Sequence, residues 1–213
     1  MNTATARPSF RLRVQEMREQ AVISAVNRML STKGFDGMTV DEVAAEVGIA
    51  KASLYKLYES KEALACAAMV AAMNRGVVFL ESLDNSLSAV ERLRAVVRWL
   101  MTLRMQGEMP NLPARNSALR AMLAQSPAYM NSLMTASEML TGWIVQAQED
   151  GDVSRQLPPL VVLYTCYARA CDPVLDFLRD SNLHSDEEII ELVMQTCFGG
   201  LNSRDSNHGG HGA

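Results

Sequence analysis

Lys51, Ser53, Tyr55 and Lys56 place two cations, a hydroxyl and a phenol within six consecutive positions, with the apolar Leu54 between them. On a helix, that spacing turns Leu54 inward and leaves the polar groups on the outer side. Such a surface suits a polyanion that also carries hydrogen-bonding edges: ammonium groups meet phosphates, while hydroxyl and phenol reach the bases in a major groove. Catalysis finds no comparable set. There is no nucleophile elbow, phosphate-cradling glycine loop, HExxH or paired acid and base, and the three His lie at 184, 208 and 211. The chain therefore reads as a non-enzyme. Cys66, Cys166, Cys171 and Cys197 form no CxxC and are read as reduced, buried small apolar residues. His208 and His211 sit among glycines without a carboxylate or thiol cluster, so neither a metal nor a cofactor is expected.

The elements that must hold the outer face are legible on either side. Taking Val40 as the first position of a bihelical unit, Val43, Val47, Ile49 and Leu54 are apolar where two crossed helices share a core. Ala44 is small at the close approach, and Gly48 stands where the turn needs a positive φ. Thr39 and Glu42 spell a capping box that starts the first of these helices, and the second spans about Lys51 to Tyr58. Upstream, Val14, Met17, Ala21, Ala25 and Met29 form a helical stripe from about Arg11 to Lys33, stopped by Gly34. Downstream, Ser60 caps a helix from Lys61 to about Leu83.

Further helices are expected at about 87–106, 113–125, 127–150, 159–180 and 186–201. The Ser126-Pro127 pair and the Ser185/Glu188 box mark two of these starts. No strand alternation competes, so the fold class is all-α with about nine helices: an N-terminal three-helix domain containing a helix-turn-helix, and a larger C-terminal helical domain. Domain limits are read as 1–62, 63–201 and a polar, disordered tail at 202–213.

Charge follows the same division. Residues 1–62 carry nine Lys or Arg against eight Asp or Glu, leaving eleven against sixteen in the remainder. All four lysines, Lys33, Lys51, Lys56 and Lys61, fall in the first part, and Arg7, Arg11 and Arg13 make a basic arm. A cationic module on an acidic body fits a nucleic-acid partner for the module alone. The polar start and the absence of a long uninterrupted apolar run predict a cytoplasmic protein with no membrane partner.

The stretch Gly34-Phe35-Asp36-Gly37-Met38-Thr39-Val40-Asp41-Glu42-Val43-Ala44, with Gly48 to Tyr58 and Ser60-Lys61-Glu62-Ala63-Leu64, resembles the DNA-binding signature of TetR/AcrR-family regulators. The resemblance implies that Ser53 and Tyr55 touch bases or phosphates, that Lys51 lies near the groove, and that Thr39 and Lys61 hold the phosphate backbone. Lys61 at a helix start suits a phosphate clamp. Ala50 departs from the family's usual Ser or Thr cap. Leu57 replaces a frequent polar reader and is assigned to packing, and Tyr58 stands for the usual Phe, its ring packed and its hydroxyl at the rim.

In the family, the larger domain senses a small molecule and pairs subunits. Leu160, Val161, Val162, Leu163, Tyr164, Cys166, Tyr167, Ala168, Ala170 and Cys171 are apolar around most of one helix, and Ile189, Ile190, Leu192, Val193, Cys197 and Phe198 enrich the last. The expectation is a homodimer through the last two helices, as an intersubunit four-helix bundle. Candidate effector contacts are Trp99, Met101, Arg104, Met105, Met122, Tyr129, Met130, Met134, Trp143 and Tyr167, where flexible thioethers and aromatics suit an adaptable apolar cavity. The reading is a repressor released from a palindromic operator by a small-molecule effector. An activator or ligand-independent regulator would use the same parts, and a helical small-molecule carrier would lack the DNA affinity.

Overall fold

Hydroxyl residues set most of the helix starts. Thr39 accepts from the Glu42 amide at 3.2 Å while Glu42 accepts from the Thr39 amide at 3.1 Å, which completes the expected capping box. Ser185 and Glu188 do the same, and Ser60 and Ser126 cap their helices as anticipated. In the computed structural model, residues 10–169 and 171–200 are described. The arm with Arg7, Ala170, and the tail from 201 with His208 and His211 lie outside the described residues.

The described residues contain helices and no strand. In order they are α1 (Phe10–Thr32), the single turn α2 (Gly34–Gly37), α3 (Val40–Val47), α4 (Lys51–Leu57), α5 (Lys61–Ser82), α6 (Ala89–Met105), α7 (Ala118–Gln125), α8 (Pro127–Glu149), α9 (Pro159–Arg169), α10 (Pro173–Asp180) and α11 (Asp186–Gly199). The all-α reading holds, with four corrections. The turn α2 begins at Gly34, whose φ of +69° separates it from α1. A capping box of Ser88 and Glu91 moves the start of α6 to Ala89. α7 begins at Ala118, because the Ser117 hydroxyl and not Pro113 supplies the cap. The expected helix over 159–180 is two helices: Pro173 has no N–H to continue the ladder and disfavours helical geometry at Asp172, whose carboxylate instead accepts from the Val174 amide at 3.1 Å.

Two compact units result, divided at Asp172. In the first, α1 packs on α3 and α5, and α7 lies against α5 and α8. One continuous core joins Val22, Ala25, Val26, Met29 and Leu30 of α1 to Val43, Ala44 and Leu54, to Leu64, Ala65 and Met69 of α5, and to Leu119 and Leu123 of α7. The buried stripe of α1 is thus displaced toward its C-terminal half from the one expected, and Met17 is exposed. α5, α6, α8 and α9 pack together beyond this core, burying Leu93, Val97, Met101, Leu140, Ile144 and Leu163.

By length and composition α5 could cross a membrane, yet Leu64, Ala65, Ala68 and Met69 belong to the core it shares with α1. In the second unit α10 lies against α11, and the Arg179 guanidinium donates to both Asp186 oxygens at 2.9 and 2.6 Å.

Candidate nucleic-acid interface

Gly48 has φ +70° and its amide returns to the carbonyls of Ala44 and Ala45, so the backbone turns sharply between α3 and α4. A Cβ at this position would meet no atom within 4 Å, so glycine is required by backbone geometry and not by space. Leu54, 1% exposed, then anchors α4 to the common core, with Val47 and Ile49 packed against that core beside it. The same anchoring leaves Lys51, Ser53, Tyr55 and Lys56 exposed. Ala50 gives α4 no side-chain cap, as its identity requires.

These residues do not share one electrostatic state. The Lys51 ammonium donates to the Asp41 carboxylate at 2.7 Å, and that hydrogen bond holds the ammonium above the ordinary lysine range. Among the described residues, Lys56 has no ion-pair partner. Further acids of α3 engage α1 and its C-terminal end: Lys33 meets Glu42 at 2.6 Å, and Arg28 meets Glu46. Glu42 titrates below the usual carboxylate range because it accepts from Lys33 and from Thr39. The Thr39 hydroxyl, although exposed, is already committed to this cap in both directions.

Lys61 is half-buried at the start of α5, where its ammonium lies 4.5 Å from the centre of the Phe35 ring and donates to the Asp36 carbonyl at 3.4 Å. Tyr58 packs against the core, and burial pushes its phenol up. Leu57 corrects the packing assignment. It is 45% exposed and lines a groove of about 520 Å³ with Phe10, Arg11, Arg18, Ser53 and Lys56. Arg18 was not anticipated as part of this face, although its spacing of seven from Arg11, two helical turns, carries the signal.

The candidate effector contacts have differing surroundings. Met101 and Met105 are buried in the helical bundle, and Trp99 stacks on Phe79 with ring centres 4.3 Å apart. Arg104 donates to the Asn111 side chain. Trp143 lies 5.7 Å below the Arg92 guanidinium, and Tyr167 shares a 3.0 Å hydrogen bond with Ser137. Burial raises the Tyr129 and Tyr167 phenols. Met122 and Tyr129 pack against the core that holds α3 and α4, Met130 is half-buried, and Met134 is 55% exposed. Met122 also lines a groove of about 500 Å³ with Cys66, Val70 and Gln125.

Residues 22–68 match the family model of bacterial regulatory proteins, tetR family. No curated protein matches the chain. Among solved structures, the fatty acid degradation regulator FadR from Bacillus halodurans shares 17% identity, covering 87% of this chain and 96% of its own, with a TM-score of 0.67. FadR from Bacillus subtilis in complex with stearoyl-CoA shares 16%, covering 86% and 99%, with a TM-score of 0.63. AibR in complex with isovaleryl coenzyme A and operator DNA shares 21%, covering 85% and 98%, with a TM-score of 0.55. At these identities, the likeness establishes the shared fold.

Proposed function

We propose, from the match of residues 22–68 to the tetR-family model, a cytoplasmic homodimeric repressor that binds a palindromic operator and is released by a small-molecule effector. The observation that carries this reading is the outward set of Ser53, Tyr55 and Lys56 on a helix whose opposite side is locked inward by Leu54. A free helix face of cations and donors has the composition that major-groove reading demands. Residues 1–62 supply the DNA-binding part in this reading, and 63–201 the sensing and pairing part.

Pairing is supported by apolar side chains left uncovered in a single chain. On α9, Leu160, Val161 and Tyr164 are 59, 50 and 63% exposed along one side of the helix. In the second unit, Val174 and Phe177 of α10 and Leu192 of α11 are exposed as well. Such residues at helical spacing on short helices fit burial against a second copy. For the effector, the acyl-CoA esters named with two of the fold neighbours are the first compounds to test.

The deciding experiment is selection of genomic fragments by the purified chain at low salt, followed by footprinting with and without stearoyl-CoA and isovaleryl-CoA. Expected are two protected half-sites about one or more helical turns apart, lost when the effector is present. A monomer that retains no fragment at low salt overturns the reading.

A further inference from the structure

The C-terminal end of α1 is held by a residue eighty positions away. The last carbonyls of any helix lack intrahelical partners. Here the Asn111 amide N–H donates to the Leu30 carbonyl at 3.3 Å, and the Asn111 side-chain amide donates to the Ser31 carbonyl at 2.8 Å. The Asn111 side-chain oxygen accepts from Arg104 in the last turn of α6. The orientation of this amide follows from chemistry. Arginine only donates and a backbone carbonyl only accepts, so a flipped Asn111 would oppose both neighbours.

Asn111 lies in the loop that joins α6 to α7, and this loop is fixed on a second side. Arg75 of α5 donates to the Glu108 carboxylate at 2.8 Å and to the Glu108 carbonyl at 3.0 Å. What Asn111 grips is the scaffold of the DNA-reading helices. Met29 and Leu30 share a core with Val43, Ala44 and Leu54, and ion pairs run from Arg28 to Glu46 and from Lys33 to Glu42. A shift of the α6 end therefore reaches α3 and α4 through one residue with three directed hydrogen bonds, two from its side chain and one from its backbone.

We propose that Asn111 is a positioning residue for DNA binding, coupling the Arg104 end of α6 to the C-terminal end of α1 and thereby setting the placement of α3 and α4. The inference rests on the DNA-binding reading for its functional consequence, though not for the link itself.

The test uses the full chain with Asn111→Asp, Arg104→Met and the double variant. Asn111→Asp keeps an acceptor for Arg104 and the backbone N–H bond to Leu30, but sets an oxygen against the Ser31 carbonyl, so it removes the side-chain part of the hold on α1. Hydrogen exchange is measured without DNA, and affinity is measured on a duplex selected by the unaltered protein. The expected result is faster exchange of the backbone amides from Ser31 to Glu42 in each single variant, and a loss of affinity of roughly tenfold. The double variant should be no worse than Asn111→Asp, since two members of one path do not add. Thermal midpoints should stay close to that of the unaltered protein, which separates positioning from general destabilisation.

Unchanged exchange at α1 overturns the proposal, as do affinity losses that multiply in the double variant. If the unaltered chain selects no duplex, the DNA-binding reading has failed, and the exchange result alone decides whether the link exists. Should Asn111→Asp not fold, Arg104→Met and Arg104→Lys, with Asn111 intact, answer the same question: loosened α1 amides in the first and restored protection in the second support the link, and equal protection in both overturns it.

Discussion

Asp41, the second residue of α3, accepts a 2.7 Å hydrogen bond from Lys51, the first residue of α4, so that an acid of one helix of the pair holds a cation of the other. Both side chains are solvent-exposed, which keeps the pair exchangeable in water. In the proposed complex with DNA, the ammonium would have to choose between this carboxylate and a phosphate. Asp41→Asn is expected to tighten binding to any duplex by about threefold to tenfold at low salt, and to steepen the salt dependence by about one phosphate contact. Titration at several salt concentrations checks this, and an unchanged slope counts against it.

Tyr55 and Lys56 stand side by side on α4, yet their removal should be felt differently. Lys56→Ala is expected to weaken all sequences together and to lower the salt slope by about one. Tyr55→Ala should also narrow the gap between the selected operator and its mismatched versions, by about 1 to 3 kcal/mol per lost base contact. Competition binding with single-base operator variants distinguishes the two.

Gly48 and Leu54 are expected to act through folding. Gly48→Ala places a Cβ in open space on a left-handed backbone, so its cost of about 1 to 2 kcal/mol is conformational, and Gly48→Asn should recover part of it. Leu54→Ala empties a fully buried site and should cost about 2 to 5 kcal/mol. Denaturant unfolding of the three variants measures both.

Three glutamates, Glu42, Glu91 and Glu188, titrate below their ordinary range. Glu42 does so chiefly through its bond to Lys33 and secondly to Thr39, and the other two through their bonds to Ser88 and Ser185. A depressed folded value means that the stabilisation is present above the ordinary glutamate pKa of about 4.3 and is lost as the pH falls through the depressed values. The chain should therefore lose stability progressively on acidification below that range. Replacing all three with Gln should lower stability at neutral pH and flatten the acid limb, as followed by thermal melts between pH 7 and pH 3.

Leu160 and Tyr164 should be needed for pairing. Leu160→Glu with Tyr164→Glu puts charge on the uncovered side of α9, and sedimentation should then give a monomer with greatly weakened operator binding. A dimer of unchanged affinity would place the contact elsewhere.

The α3–turn–α4 unit is legible because its demands are local: Gly48 at the turn, Leu54 inward, Thr39 and Glu42 at the cap. What escaped the sequence depends on distant partners. Nothing near Pro113 announces that Asn111 will bind the end of α1. Asp172-Pro173 does carry the signal of a helix break, which the continuous apolar pattern of the flanking residues obscured. By residue type Leu57 reads as core, whereas its position on α4 leaves it in the groove beside Phe10 and Arg18.

Leu119 and Leu123 of α7 complete the core that supports α3 and α4. Grafting the reading helices onto a foreign receptor would therefore leave a gap unless α7 travelled with them. Chimeras joined after α5 should be unstable, and exchanges of target preference are better made by swapping the outer residues of α4 in place.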